Sequence, residues 1–157
     1  MRSVALAIGL MLLAGTARSS DNLECHEGFV TQSWELLKMA SYGQSPYEQA
    51  AFIVRDPSGV ERFVRWSFQH RARAATYDLA LPDNAIAIVH THPNPVPLPS
   101  DHDIRLAARL NLPVYVVTRT MISRTAGRGV DVVQSGDWQP SASHAALGRC
   151  SAQARLE

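Results

Sequence analysis

Lysine is almost missing from this chain. Lys38 is the only one, and the rest of the basic charge is arginine, scattered and balanced by acids to a formal net charge of +1. No basic stripe with interleaved aromatics occurs, which excludes the electrostatic footprint of a nucleic-acid binder. Cysteine is equally sparse: Cys25 and Cys150 stand near opposite ends. Neither lies near the histidine pair described below, so a thiolate-rich structural zinc site is excluded. No apolar run reaches the ~20 residues of a membrane span. The 157 residues contain no repeat, no linker and no sign of a second domain. Apolar residues are not scarce, at 46%, which excludes disorder and leaves enough material for one hydrophobic core.

Residues 1–19 read as a signal peptide. Arg2 is the basic start, Val4 to Ala14 the apolar stretch, and Ala17-Arg18-Ser19 supplies small residues for cleavage, a pattern that predicts an exported, periplasmic or secreted protein. Cleavage would leave residues 20–157 as a single domain with no stable membrane span. In an oxidising compartment Cys25 and Cys150 suggest a disulfide stapling the two termini; free thiols or an intermolecular bridge are the alternatives.

From Phe29 to Met39 the apolar residues Val30, Trp34, Leu37 and Met39 recur at helical spacing, and Ser41-Tyr42-Gly43 ends the helix in a turn. Gln49 to Arg55 and Val60 to Phe68 read as strands joined by the turn sequence Asp56-Pro57-Ser58-Gly59. In the interval that follows, His70, Arg71 and Arg73 could line a groove and hold a substrate carboxylate, although such charges more often belong to a solvated loop. Ala85 to Val89 and Pro113 to Thr118 are short, β-branched and bounded by turn residues, as buried strands are. Arg124 to Arg128 reads as a turn, Gly129 to Val133 as a further strand, and His144 to Ala154 as a terminal helix. Helices and strands alternate, so the expected class is α/β or α+β, one mixed sheet with helices packed on it.

Chemistry concentrates between these elements. His90-Thr91-His92-Pro93 follows the strand of Ala85 to Val89 directly, and two histidines at i and i+2 on a strand end point to the same side, where they can share an ion. The prolines at 93, 95, 97 and 99 keep the next segment extended. Ser100-Asp101-His102-Asp103 then opens an apolar-periodic helix ending near Asn111, with Ser100 as N-cap. Asp103, on the first turn, can face the histidines. His90, His92 and Asp103 would hold zinc with one position open to water, the pattern of a catalytic site. The competing reading is an ordinary cap, with Ser100 and Asp103 serving only the helix start.

Taken together, His90-Thr91-His92-Pro93, six intervening residues, then Ser100-Asp101-His102-Asp103 resembles the H-x-H-P-x6-S-x-x-D signature of the JAMM metalloproteases of the JAB/MPN family. The family pattern also has a glutamate upstream, just before an apolar strand, and Glu48 stands there. The resemblance covers roughly Trp34 to Ile122. It implies a curved mixed sheet flanked by helices, a Zn2+ ion on His90, His92 and Asp103, Glu48 as general base and Ser100 as oxyanion donor. Other zinc families with a His-x-His pair fit less well: an amidohydrolase barrel needs about 250 residues, and metallo-β-lactamase-like hydrolases follow the pair with Asp-His rather than Pro93-Asn94. The activity implied is zinc-dependent hydrolysis of a peptide or isopeptide bond. Cytosolic relatives remove ubiquitin-like modifiers, which an exported domain would not meet, so the expected partner is a peptide or protein, cell-envelope peptides included. The alternative is a non-catalytic binding module with the same fold.

Overall fold

The computed structural model describes residues 22–67, 80–94 and 96–140. Phe68, His70, Arg71, Arg73, Cys150, the expected signal peptide of residues 1–19 and the expected helix of His144 to Ala154 lie outside them. The described chain forms helix α1 (Glu27–Met39), strands β1 (Ala50–Arg55), β2 (Glu61–Arg65) and β3 (Ala85–Thr91), helix α2 (Asp101–Leu110), and strands β4 (Val114–Val117), β5 (Met121–Thr125) and β6 (Asp131–Ser135). The six strands make one sheet in the order β2-β1-β3-β4-β5-β6. Only β3 and β4 run parallel, and α2 is the crossover that parallel neighbours require. The architecture is α+β, a mixed sheet with a helix on each face. Among the described residues no helix is long and apolar enough to cross a membrane.

Strand alternation sorts the core into two layers. Ala51 and Ile53 of β1, Ala87 and Val89 of β3, and Tyr115 and Val117 of β4 face α1, where they meet Phe29, Val30 and Leu37. Phe52, Ile88 and Val114 face the opposite way and pack against Ala107 and Leu112. Because successive side chains alternate, Glu48 and Ala50 fall on the layer of Phe52, and His90 falls on the layer of Ile88. Two functional candidates, Glu48 and His90, are thus turned toward α2 before any side-chain detail is considered.

Most expected elements occur where the sequence places them, with the following corrections. Met39 is exposed and does not join the helix's inward face. The second strand ends at Arg65, and Trp66 packs on the α2 layer beyond it. Arg124 is not in a turn. It belongs to β5, where it donates to Glu24 Oε1 at 3.0 Å and to Asp131 Oδ2 at 3.2 Å, while the Tyr115 hydroxyl donates to Glu24 Oε2 at 2.8 Å. A largely buried ionic network therefore replaces the apolar pattern by which a strand is usually read. The last strand is shifted to Asp131–Ser135, and the hairpin before it carries Gly127 at φ +89. A Cβ there would stand 2.8 Å from the Ala108 backbone, so only glycine lets this hairpin close against α2.

Candidate metal centre

Antiparallel pairing of β1 with β3 brings the start of one to the end of the other. Ala50 lies opposite His90. Just beyond, Gln49 is locked to Thr91 from both sides: its N–H donates to Thr91 Oγ1 at 3.0 Å, and its carbonyl accepts from the Thr91 N–H at 2.9 Å. Glu48, the residue before, arrives beside His90, with Oε2 3.4 Å from Nδ1. Residues distant in sequence meet because the strand register leaves them no alternative.

Asp103 comes from the other side. Ser100 caps α2 in a complete capping box: its hydroxyl accepts from the Asp103 N–H, and Asp103 Oδ2 accepts in return from the Ser100 N–H at 2.7 Å and its O–H at 2.6 Å. Capping and site geometry are therefore one arrangement. With Oδ2 held by the cap, Oδ1 lies 3.2 Å from His90 Nε2, and Oδ2 itself is 3.6 Å from His92 Nε2. His90, His92 and Asp103 are all buried, whereas His102 on the same helix is exposed.

The His90 Nε2 atom is buried and has no hydrogen-bond partner, although Asp103 Oδ1 is close. The two atoms lie near one another without the alignment of a hydrogen bond, as donors directed at a common third centre would. Ligands of a tetrahedral zinc with bonds near 2.0 to 2.1 Å stand about 3.3 Å apart, close to the 3.2 and 3.6 Å separations found here. Two imidazoles and a carboxylate suit a borderline cation such as zinc better than magnesium or calcium. The residues fit a metal ion.

Two donor sets overlap at this point. Glu48, His90 and His92 also place ligand atoms within 4.8 Å of one another and could hold a metal ion. Glu48, however, approaches His90 at Nδ1, the ring nitrogen turned away from Asp103. One imidazole offers a given ion one nitrogen, so an ion shared with Asp103 leaves Glu48 adjacent to the set.

The tautomer of His92 is fixed by the backbone. Its Nδ1 lies 3.0 Å from the Val96 carbonyl, which can only accept, so Nδ1 carries the proton and Nε2 presents its lone pair to the site. The sequence held no residue-level sign of this, since a carbonyl is common to every residue type.

Burial pushes the His90 pKa down, but the Asp103 and Glu48 carboxylates outweigh it and hold it up at about 9. Burial likewise favours a neutral Asp103, yet His90, His92 and the Ser100 hydrogen bond hold its carboxyl well below the usual carboxylate range.

A mixed sheet whose parallel pair is crossed by a capped helix, with histidines at the strand end and a carboxylate on the helix's first turn, defines a JAB-like α+β domain. The family comparison agrees: the family described as prokaryotic homologs of the JAB domain matches residues 29–129, and the chain belongs to that family. Searches of curated proteins and of solved structures return no match.

Metal binding should depend on pH with a definite sign. At neutral pH the metal-free His90 is protonated, and an ion must displace that proton. Apparent zinc affinity should therefore rise about tenfold per pH unit as pH approaches 9 and then level off. Titration against a competing chelator at several pH values measures this, and an affinity that is flat between pH 7 and 9 would contradict the assignment.

Proposed function

We propose that the chain is a zinc-dependent hydrolase of the JAMM type, cleaving a peptide or isopeptide bond outside the cytoplasm. The observation that carries this reading is the convergence of two buried imidazoles and a buried carboxylate at 3.2 and 3.6 Å, with a second carboxylate beside them. His90, His92 and Asp103 would hold the ion. Bound there, zinc would supply a Lewis acid able to acidify a water toward a pKa of about 7 and to polarise a carbonyl.

The chain's own residues do the rest. Glu48, next to His90 but outside the His90, His92 and Asp103 set, takes a proton from the attacking water and returns it to the leaving amine. Ser100 donates to the oxyanion as the carbonyl is attacked. To do so its hydroxyl must turn away from Asp103, and the Ser100 N–H remains to hold the carboxylate. Peptides of the cell envelope are the substrate class most consistent with export.

Asp103→Asn separates the two roles of that residue. The amide oxygen can still accept from the Ser100 N–H, so α2 should stay capped, while the anionic ligand is gone and zinc should be lost. Glu48→Gln should retain zinc and lower cleavage of a peptide library by a factor on the order of 10² to 10⁴. Elemental analysis and library cleavage read the two outcomes. Zinc retained by Asp103→Asn, or full activity in Glu48→Gln, would overturn the respective role. A wild-type chain that binds zinc and cleaves nothing would favour the binding-module reading.

Export is supported by the leader-like residues 1–19, and in an oxidising compartment Cys25 and Cys150 would pair as a staple. Protein isolated from the producing cell should begin near Ser20, and its mass should show two thiols only after reduction. An intact Met1 on the native species would refute export, and free thiols would refute the staple.

A further inference from the structure

We infer that Asn94 is a positioning residue for the metal centre, clamping the loop after His92 onto a strained turn at the end of α1. The inference rests on the metal-site reading above and concerns residues outside the ligand set.

The turn is unusual on its own terms. Ser41, Tyr42 and Gly43 are consecutive left-handed residues, with φ of 50, 55 and 76. Glycine adopts this region freely, but serine and a bulky tyrosine do so only when their surroundings impose it. The surroundings are identifiable. The Tyr42 ring packs against Trp34 of α1 with centroids 5.6 Å apart, and two of the turn's three carbonyls, those of Tyr42 and Gly43, accept from one residue. Asn94 Nδ2 donates to the Tyr42 carbonyl at 3.0 Å, and the Asn94 N–H donates to the Gly43 carbonyl at 2.8 Å. The fit is close enough that a Cβ on Gly43 would stand 2.9 Å from Asn94 Nδ2.

Asn94 lies midway between two atoms that must be held in relation to each other. Two residues before it is His92, whose N–H donates to the Val117 carbonyl at 3.2 Å. Two residues after it is Val96, whose carbonyl accepts from His92 Nδ1. The His92 backbone is thus fixed by the sheet, and its ring by a carbonyl on a segment where the Val96 side chain is 55% exposed and packs on little. The Val96 N–H also donates to the Pro93 carbonyl at 3.1 Å, which folds the segment back on itself without attaching it to the domain. Among the described residues, hydrogen bonds attach it through Asn94 to the turn and through the Pro97 carbonyl, which accepts from Ser123 Oγ at 2.7 Å. Removing the Asn94 clamp frees the side of this loop nearer to His92, and the Val96 carbonyl then no longer selects the tautomer that presents Nε2.

The test uses Asn94→Ala, Asn94→Asp and Gly43→Ala in the full chain, with two readouts. In the metal-loaded protein, zinc affinity by chelator competition should fall by a factor on the order of 10 to 100 in each variant, as for other partners that orient a ligand. The visible absorption of the cobalt-substituted protein should shift with it. In the metal-free protein, nitrogen NMR should find His92 as the Nδ1-protonated tautomer in the wild type and as a mixture in the variants. Gly43→Ala touches neither histidine, so a loss there reports the clamp alone. Should that variant fail to fold, Asn94→Asp decides, since it keeps the backbone N–H and the side-chain shape and puts a carboxylate oxygen, which cannot donate, where Nδ2 faced the Tyr42 carbonyl. Wild-type affinity, cobalt spectrum and His92 tautomer in folded Asn94→Ala and Asn94→Asp would overturn the inference. If the wild type itself takes up no zinc, the metal-site reading fails, and the tautomer comparison still decides the clamp.

Discussion

The carboxylate of Asp103 is shared between two structures, and the site depends on the sharing. An acid in a helix's first turn is ordinary, because it satisfies free N–H groups and complements the helix dipole. Here the Ser100 N–H and O–H bind one side of the group. That fixes which oxygen faces His90. A cap contributes only about 1 kcal/mol to stability. Its larger consequence is orientation, since a free aspartate side chain would sample several rotamers and spend part of its time away from the histidines.

The sheet supplies the other half of the geometry. His90 points toward α2 because strand alternation leaves it on the layer of Ile88, and Glu48 arrives beside it because β1 pairs antiparallel with β3. Thr91 faces the other way, where its hydroxyl and N–H hold Gln49. The parallel pairing of β3 with β4 forces a crossover, and the crossover is the helix whose first turn carries Asp103. Topology, register and cap converge on one small volume. Collecting charged and polar groups in a buried place is costly unless each is compensated, and the orphaned His90 Nε2 is where compensation within the protein is incomplete.

Much of this was legible in the sequence. The helix of α1, the strands β1 to β4 and the helix of α2 follow from hydrophobic period and turn residues, and Ser100 and Asp103 announced both a cap and a ligand. The sequence posed those two as competing readings, whereas the structure realises the capping box and brings the same carboxylate to the histidines. Strand β5 was not legible, because Ile122 and Ser123 are followed by Arg124, whose charge is satisfied by Glu24 a hundred residues earlier in the chain. Local pattern cannot register a partner so distant. Asn94 and the Val96 carbonyl were hidden for a related reason: one is a common turn residue and the other a backbone atom, and each acquires its role only through the fold.

The central claim is that His90, His92 and Asp103 converge on a single ion. X-ray absorption spectroscopy of the zinc-loaded protein tests it most directly, by reading the atoms around the metal. The account predicts one zinc per chain with only nitrogen and oxygen ligands at about 2.0 to 2.1 Å, and outer-shell scattering from two imidazoles. A sulfur ligand, or a shell with no imidazole scattering, would contradict it.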